Sequence, residues 1–481
     1  MTTSPASSVL NDSCLPALAA RGIQVPTHPR GGAVGVVHLG LGAFHRAHQA
    51  LVFDRLLSGG DTRWGVLGVA MRSTQLADTL RDQQGLYAVQ IASAAGSRWQ
   101  VSGSIFRTCV AARERAVVVG ALAAEATRWV TITVTEKGYG ADVIKLLVDA
   151  LALRHAAGLN GLTVASCDNL TNNGDRLRAL CVDAGRQRNP VLAEWIEARC
   201  AFPNSMVDRI VPAISEKRCA AAAQALGVQD PTALGTEAFW EWVIERRFAD
   251  PSDGPLLAAA GVTVVDDVAP FEEAKLRMLN GSHSAMACIG ALAGWPVIGD
   301  CIAQPAVREF VEGLMTHEVG PHLQRTDWTA YRDQLLARFG NPQLQHSVHQ
   351  IATDSSQKIP QRWPPSVIAE LEAGRSPERL AFAAAAWIWY LRGTDEKGHM
   401  YPLNDPMAGT LQELAQRHAG DAGAMVDAIG RLPIVWNETL SRHEGWLARL
   451  TYWLTQINQR GVTEALNVCV ASCRSDQRRV V

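Results

Sequence analysis

The stretch Val34-Gly35-Val36-Val37-His38-Leu39-Gly40-Leu41-Gly42-Ala43-Phe44-His45 sets a valine-rich apolar run against a glycine turn. Residues 34–39 read as a buried strand, and a helical pattern continues from the turn as far as Leu57. Strand, Gly-x-Gly and helix, in that order, open a dinucleotide-binding domain. The first glycine permits the tight turn. The second lets a pyrophosphate approach backbone N–H groups at the start of the helix. Gly40, Leu41, Gly42, Ala43 and Phe44 are therefore candidate cofactor-binding residues. His45 stands where the fingerprint has its third glycine, so the motif is incomplete and weak by itself.

The pattern repeats along the first half of the chain. A second strand is expected at 64–71. A β region comes next at 86–106, alternating at Tyr87-Ala88-Val89-Gln90-Ile91. Helix 111–128 leads to strand 129–134, and helix 141–157 leads to strand 162–167. Strands alternating with helices predict an α/β fold with a mainly parallel, Rossmann-type sheet. Residues 1–30 read as a loose arm. One more strand is expected at 262–265. Beyond Pro270 the pattern is nearly all helical, with Ala- and Leu-rich segments at 380–391, 420–429 and 444–457. The expected domains are residues 1–269, binding dinucleotide, and 270–481, mainly helical and carrying substrate and catalytic groups.

Composition narrows the function classes. Of 481 residues, 47% are hydrophobic and 19% charged, which suits a large folded core. A net charge of −2 gives no electrostatic reason to expect nucleic acid or an anionic membrane as partner. The ten cysteines are scattered and none forms Cys-x-x-Cys, so a zinc or disulfide framework is not expected. The N-terminus lacks a signal-peptide pattern, and the longest apolar run, 381–391, is too short to span a bilayer. A cytoplasmic protein is expected.

Polar residues cluster where strands end. Arg72, in Met71-Arg72-Ser73, comes directly after the second strand, where an acid would hold the ribose 2′-hydroxyl of NAD. NAD is the expected cofactor, and this Arg leaves NADP open, although a solvated loop residue is the plain alternative. Thr135 and Glu136 come after the fourth strand, and Asn169 after the fifth. All should rim the crevice at the carboxyl ends of the strands. Farther on, Lys275-Leu276-Arg277-Met278-Leu279-Asn280-Gly281-Ser282-His283 sets an amine, an amide and an imidazole into an apolar run. A hydroxyl or carbonyl substrate would satisfy such groups; a buried helix bonded to neighbouring backbone is the alternative. His45, His48, His346 and His349 lie in no metal-binding pattern, so no metal is expected.

These motifs together resemble the long-chain mannitol dehydrogenase family of polyol-specific dehydrogenases. The matching stretches are HLGLGAFHRAHQA from His38, TVTEKGY from Thr133, SCDN from Ser166, FPNSMVDRIVP from Phe202, EEAKLRMLNGSH from Glu272, DSSQKIPQR from Asp354 and YLRGTDEKG from Tyr390. The resemblance implies a Rossmann-type domain, a helical domain and a site in the cleft between them. It implies metal-independent hydride exchange between NAD(P) and a secondary alcohol. Lys275 is then the general base, and Asn280 with Asn169 holds the oxyanion. His283, Asp208 and Lys358 contact substrate, and Glu272 takes part in proton movement. A monomer is also implied.

One departure bears on substrate. Gln350 replaces the Arg usual in mannitol 2-dehydrogenases, as in hexuronate reductases. Arg362 becomes a candidate carboxylate partner, with a surface Arg after a proline turn as the alternative. Together these favour a fructuronate-type sugar acid over a neutral polyol such as mannitol or arabinitol. Ser355 replaces the glycine of the family's DGS and is expected to bend the loop carrying Lys358. A nucleotide-binding regulator is the non-enzyme alternative. Geometry raises one tension. On a straight helix Lys275 and His283 stand about 12 Å apart along the axis, and both side chains tilt toward the N-terminus. The helix is therefore expected to break or distort near Asn280-Gly281-Ser282, with Asn280 or Ser282 capping the next helical segment.

Overall fold

The computed structural model describes residues 8–93, 96–134, 140–341 and 346–480. The chain divides into two compact units, one through Ala269 and one from Pro270.

Among its described residues the first unit holds eleven strands: β1 (Val36–Leu39), β2 (Val66–Ala70), β3 (Tyr87–Ser93), β4 (Gly96–Ser102), β5 (Ile105–Val110), β6 (Trp129–Ile132), β7 (Thr163–Ser166), β8 (Ser205–Asp208), β9 (Leu234–Glu237), β10 (Glu241–Glu245) and β11 (Thr263–Val265). Five of them form a parallel sheet in the order β5-β2-β1-β6-β7. Nearly every residue of these strands is buried, as a sheet covered on both faces requires. One face packs on Phe53, Trp64, Trp129 and Trp242. The other packs on Leu122, Leu147, Leu151 and Leu177, carried by the helices Ala111–Ala123, Ala141–Ala156 and Asn173–Arg188. The strand order reverses at β1, so the crevice belongs at the carboxyl ends of β1 and its neighbours.

Two expectations are corrected. The β region at 86–106 is not one strand of the main sheet. β3 and β4 form an antiparallel pair in a separate sheet, β4-β3-β9, and the main sheet resumes with β5. Residues 8–30 are not loose. Leu10 and Leu18 are buried against Leu86, Val101 and Leu226, and single backbone bridges join Val9 to Gln229 and Gln24 to Gln100. A third sheet, β8-β10-β11, was not foreseen; it places Asp208 at the end of β8.

The second unit is helical. Its centre is the helix Gly281–Ala293, in which Gly281 through Leu292 are all buried. The helices Glu378–Tyr390, Val348–Ala352 and Ile298–Ile302 pack around it. A helix covered on all sides has to be small and apolar all round, which explains its Ala, Gly, Met and Ile content. Among the described residues no helix is long and apolar enough to cross a membrane.

Candidate active site

In the first unit the ends of β1, β2 and β6 border a crevice of about 740 Å³, lined by Gly40, Leu41, Met71, Arg72, Val134 and Gly140 among others. The Gly40 and Leu41 amides both donate to the Val69 carbonyl at 2.9 Å. Gly40 has φ +105°, and a Cβ there would stand 2.3 Å from the Thr133 carbonyl oxygen, so only glycine makes this turn. A bare backbone at the mouth of a crevice fits the close approach of a pyrophosphate. Ala43 and Phe44 open the helix Ala43–Ala47. That helix does not run through to Leu57: the backbone turns at His48 and a second helix, Gln49–Ser58, continues.

His45, at the position of the missing glycine, is fully buried and stacks on His38 with ring centroids 3.3 Å apart. Burial keeps both imidazoles neutral, pulling His38 down to about 3 and His45 well below its ordinary value. His48 is buried too, its Nε2 3.0 Å from the Glu241 carbonyl. These histidines build the core beneath the turn.

Thr135 and Glu136 lie outside the described residues. Asn169 is exposed in the loop after β7. Beside it the Asp168 carboxylate accepts from the Val134 N–H at 3.1 Å, joining the ends of β6 and β7. Asp208 is buried. Asn173 links the two neighbourhoods and was missed from sequence. Its amide nitrogen donates to the Asp168 carbonyl at 3.0 Å and the Ser205 carbonyl at 2.8 Å, and its oxygen accepts from the Ser205 N–H. A lone Asn at a helix start carries no signal of such a clamp.

In the second unit Glu272, Lys275, Asn280 and His283 share one helical path, made of Ala269–Ala274, a π-helical segment Lys275–Asn280, and Gly281–Ala293. The expected distortion is present, but its form differs. Asn280 and Gly281 keep right-handed helical angles, and no side chain caps the helix from Gly281. Instead the Gly281 N–H donates back to the Leu276 carbonyl, five residues earlier. On an ideal α-helix Asn280 and His283 sit about 140° and 80° around the axis from Lys275, at about 100° per residue. A π turn absorbs one residue, so both fall within about 40° of Lys275, on one face. The axial separation shrinks only to roughly 10 Å. At that separation Lys275 and His283 are not placed to meet at a single carbon.

Lys275, Glu272 and His283 are buried. The Asn280 side-chain nitrogen is buried and donates to nothing among the described residues, which makes it an available donor. Arg277, two residues on from Lys275, pairs with Glu273 at 2.8 Å. The His283 ring lies 4.7 Å from Phe339 and edge-on to His346 at 5.4 Å. Burial, and then His346, Arg338 and Arg362, hold its pKa well below the usual value, so His283 is a neutral hydrogen-bonding group.

Arg362 is no surface residue. It ends the helix Ser355–Arg362, is buried, and donates through Nη1 to the Asn280 carbonyl at 3.2 Å and to Ser284 Oγ at 2.6 Å. Trp363 Nε1 donates to the Gly281 carbonyl at 3.1 Å. Together they brace the segment that carries Asn280. Lys358 Nζ donates to the Thr353 carbonyl and, at 3.4 Å, to that of Ile351; burial and Arg362 lower its pKa. Gln350 is exposed on the helix Val348–Ala352. Ser355 does not bend its loop: the left-handed residue is Asp354, at φ +55°. Ser355 starts the helix, with Oγ bonded to Asp405 at 3.1 Å and to Trp387 Nε1 at 2.9 Å.

Comparison with known families gives two matches. The mannitol dehydrogenase Rossmann domain matches residues 34–252, and the mannitol dehydrogenase C-terminal domain matches residues 267–457. The chain belongs to the mannitol dehydrogenase family. Among relatives, a mannitol 2-dehydrogenase of Phaeosphaeria nodorum is 40% identical over 85% of this chain and 78% of its own. A D-mannonate oxidoreductase of Escherichia coli is 37% identical over 91% of this chain and 95% of its own. Among solved structures, Pseudomonas fluorescens mannitol 2-dehydrogenase in ternary complex with NAD and D-mannitol superposes with a TM-score of 0.84 at 29% identity, covering 96% of this chain and 99% of that one. The family shares the two parts read from the sequence, an N-terminal Rossmann-like parallel sheet and a helical C-terminal region.

Proposed function

We propose that this member of the mannitol dehydrogenase family is an NAD(P)-dependent, metal-independent oxidoreductase that interconverts a secondary alcohol and a ketone on a sugar acid. The nearest substrate type is fructuronate, reduced to mannonate. The observation that carries the reading is the π turn, which sets Lys275, Asn280 and His283 on one face of a helix, with Arg338 and Arg362 acting on His283. The Gly40–Gly42 turn and the crevice beside it would hold the dinucleotide, and the bound nicotinamide supplies or accepts hydride.

The chain's own residues handle the proton and the oxygen. In the oxidation direction the neutral Lys275 amine takes the hydroxyl proton as the C–O bond gains double-bond character. In reduction the ammonium returns it to the carbonyl oxygen. The Asn280 amide donates to the oxygen as negative charge builds, and Asn169 is assigned the same task from the first unit. Glu272, buried one turn before Lys275, is assigned to carry the proton onward. His283, neutral, bonds a substrate hydroxyl farther along the chain, with Asp208 and Lys358 assigned to others.

Charge favours an acid as substrate. Arg338 and Arg362 act on His283, Lys358 acts on the neighbouring His346, and the Arg of mannitol 2-dehydrogenases is Gln350 here. The mannitol-active relatives support a second reading, a mannitol- or arabinitol-type dehydrogenase. Initial rates decide between them, using fructuronate, tagaturonate, fructose, mannitol and arabinitol with excess chelator present. Fructuronate with NADH should give the highest kcat/KM and be insensitive to chelation. A preference for mannitol, or loss of rate on chelation, would reject the corresponding part of the proposal.

A further inference from the structure

The crevice holds cationic side chains that binding NAD does not require. Arg72, directly after β2, is exposed, and its side chain forms no ion pair or hydrogen bond among the described residues. Lys145 lines the same crevice and is likewise exposed and unpaired among the described residues. Arg115, also in the lining, pairs with Asp149, which Arg188 shares. Asp142 is the one carboxylate among the described residues of the lining.

Position gives these charges meaning. The residue after the second strand of such a sheet faces the adenosine ribose. A carboxylate there accepts from the 2′-hydroxyl and repels a 2′-phosphate. In this chain positions 71–74 read Met-Arg-Ser-Thr. The next acid, Asp78, is neutralised by Arg81 at 2.9 Å and Arg113 at 2.8 Å. Ser73 precedes the nine-residue helix Thr74–Asp82 without capping it, so its hydroxyl and the first-turn N–H groups of that helix stay available to an anion. A guanidinium, a hydroxyl and a helix N-terminus at one point make a phosphate site, not a diol site.

We propose that Arg72, Ser73 and Lys145 form a 2′-phosphate subsite, so that the crevice accepts NADP(H) at least as well as NAD(H). The proposal rests on the dinucleotide reading of the crevice, and its test separates the two. Calorimetric titration of the full chain with 5′-AMP and with adenosine 2′,5′-bisphosphate reads the subsite without catalysis. The bisphosphate should bind about tenfold tighter or better, given a charge-assisted contact to the added phosphate. Arg72→Ala should bring the ratio of the two affinities close to one, with thermal unfolding confirming that the variant is folded. NADPH and NADH should show the same ratio. Equal or tighter binding of 5′-AMP by the wild type overturns the subsite. So does a preference for the bisphosphate that survives both Arg72→Ala and Lys145→Ala. Failure of every adenosine nucleotide and of NADH to bind overturns the dinucleotide reading itself.

Discussion

At the scale of single residues, the chemistry is assigned to one nitrogen. Lys275 is buried in the helical path that also carries Asn280 and His283. The proposed role as base and acid sets the sign of the pH effect. Oxidation needs the neutral amine and should rise with pH through the pKa of Lys275, whereas reduction needs the ammonium and should fall over the same range. Lys275→Ala should lower kcat by about 10²- to 10⁴-fold, the usual contribution of a positioned acid or base, and abolish that limb of the profile. Equilibrium binding of NADH should persist. An unchanged pH profile in the variant would remove Lys275 from the proton path. Nothing in the sequence distinguished this Lys from an ordinary helical one except its company; the Arg362 that braces the Asn280 carbonyl comes from a helix far along the chain.

At the scale of elements, the π turn decides what the segment can do. It brings three polar groups onto one face without a break, and Arg362 and Trp363 hold the carbonyls of Asn280 and Gly281. Arg362→Lys keeps the charge but loses the planar fork that reaches two acceptors. Turnover should drop about tenfold for acidic and neutral substrates alike, with the change in kcat and little in KM. A loss confined to KM for carboxylate substrates would make Arg362 a substrate contact instead. The sequence could not reveal this element. Residues 275–280 suit α and π geometry equally, and the choice lies in how the turn is braced from outside. The parallel strands were legible because burial on both faces writes a continuous apolar run. β8, β9 and β10 were not: they are four or five residues long, and β9 pairs with a strand more than a hundred residues earlier.

At the scale of the whole molecule, buried histidines tie stability to pH. Burial depresses the pKa of His38, His45, His283 and His346 below the unfolded value near 6.5. The unfolded chain therefore binds more protons below that pH. The stability is fully present above pH 6.5 and is lost as pH falls toward the native values, at about 1.4 kcal/mol per pH unit for each histidine still neutral in the fold. The denaturation midpoint should fall steeply between pH 7 and 5.5, and a flat profile would mean that these rings are accessible to protons in the native state. The architecture of a parallel sheet ahead of a run of helices was readable because strand and helix periods change cleanly along the chain. The packing of residues 8–30 was not, since Leu10 and Leu18 are isolated apolar residues in a polar arm. The proposed reaction moves a hydride from NADH to a carbonyl carbon while Lys275 supplies the proton. Incubation with nicotinamide-deuterated NADH and fructuronate, with mass spectrometry of the product, tests it most directly. The account predicts one deuterium on the new carbinol carbon with the wild type and negligible product with Lys275→Ala. Absence of deuterated product from every keto-uronate and ketose, or equal labelling by the variant, would contradict it.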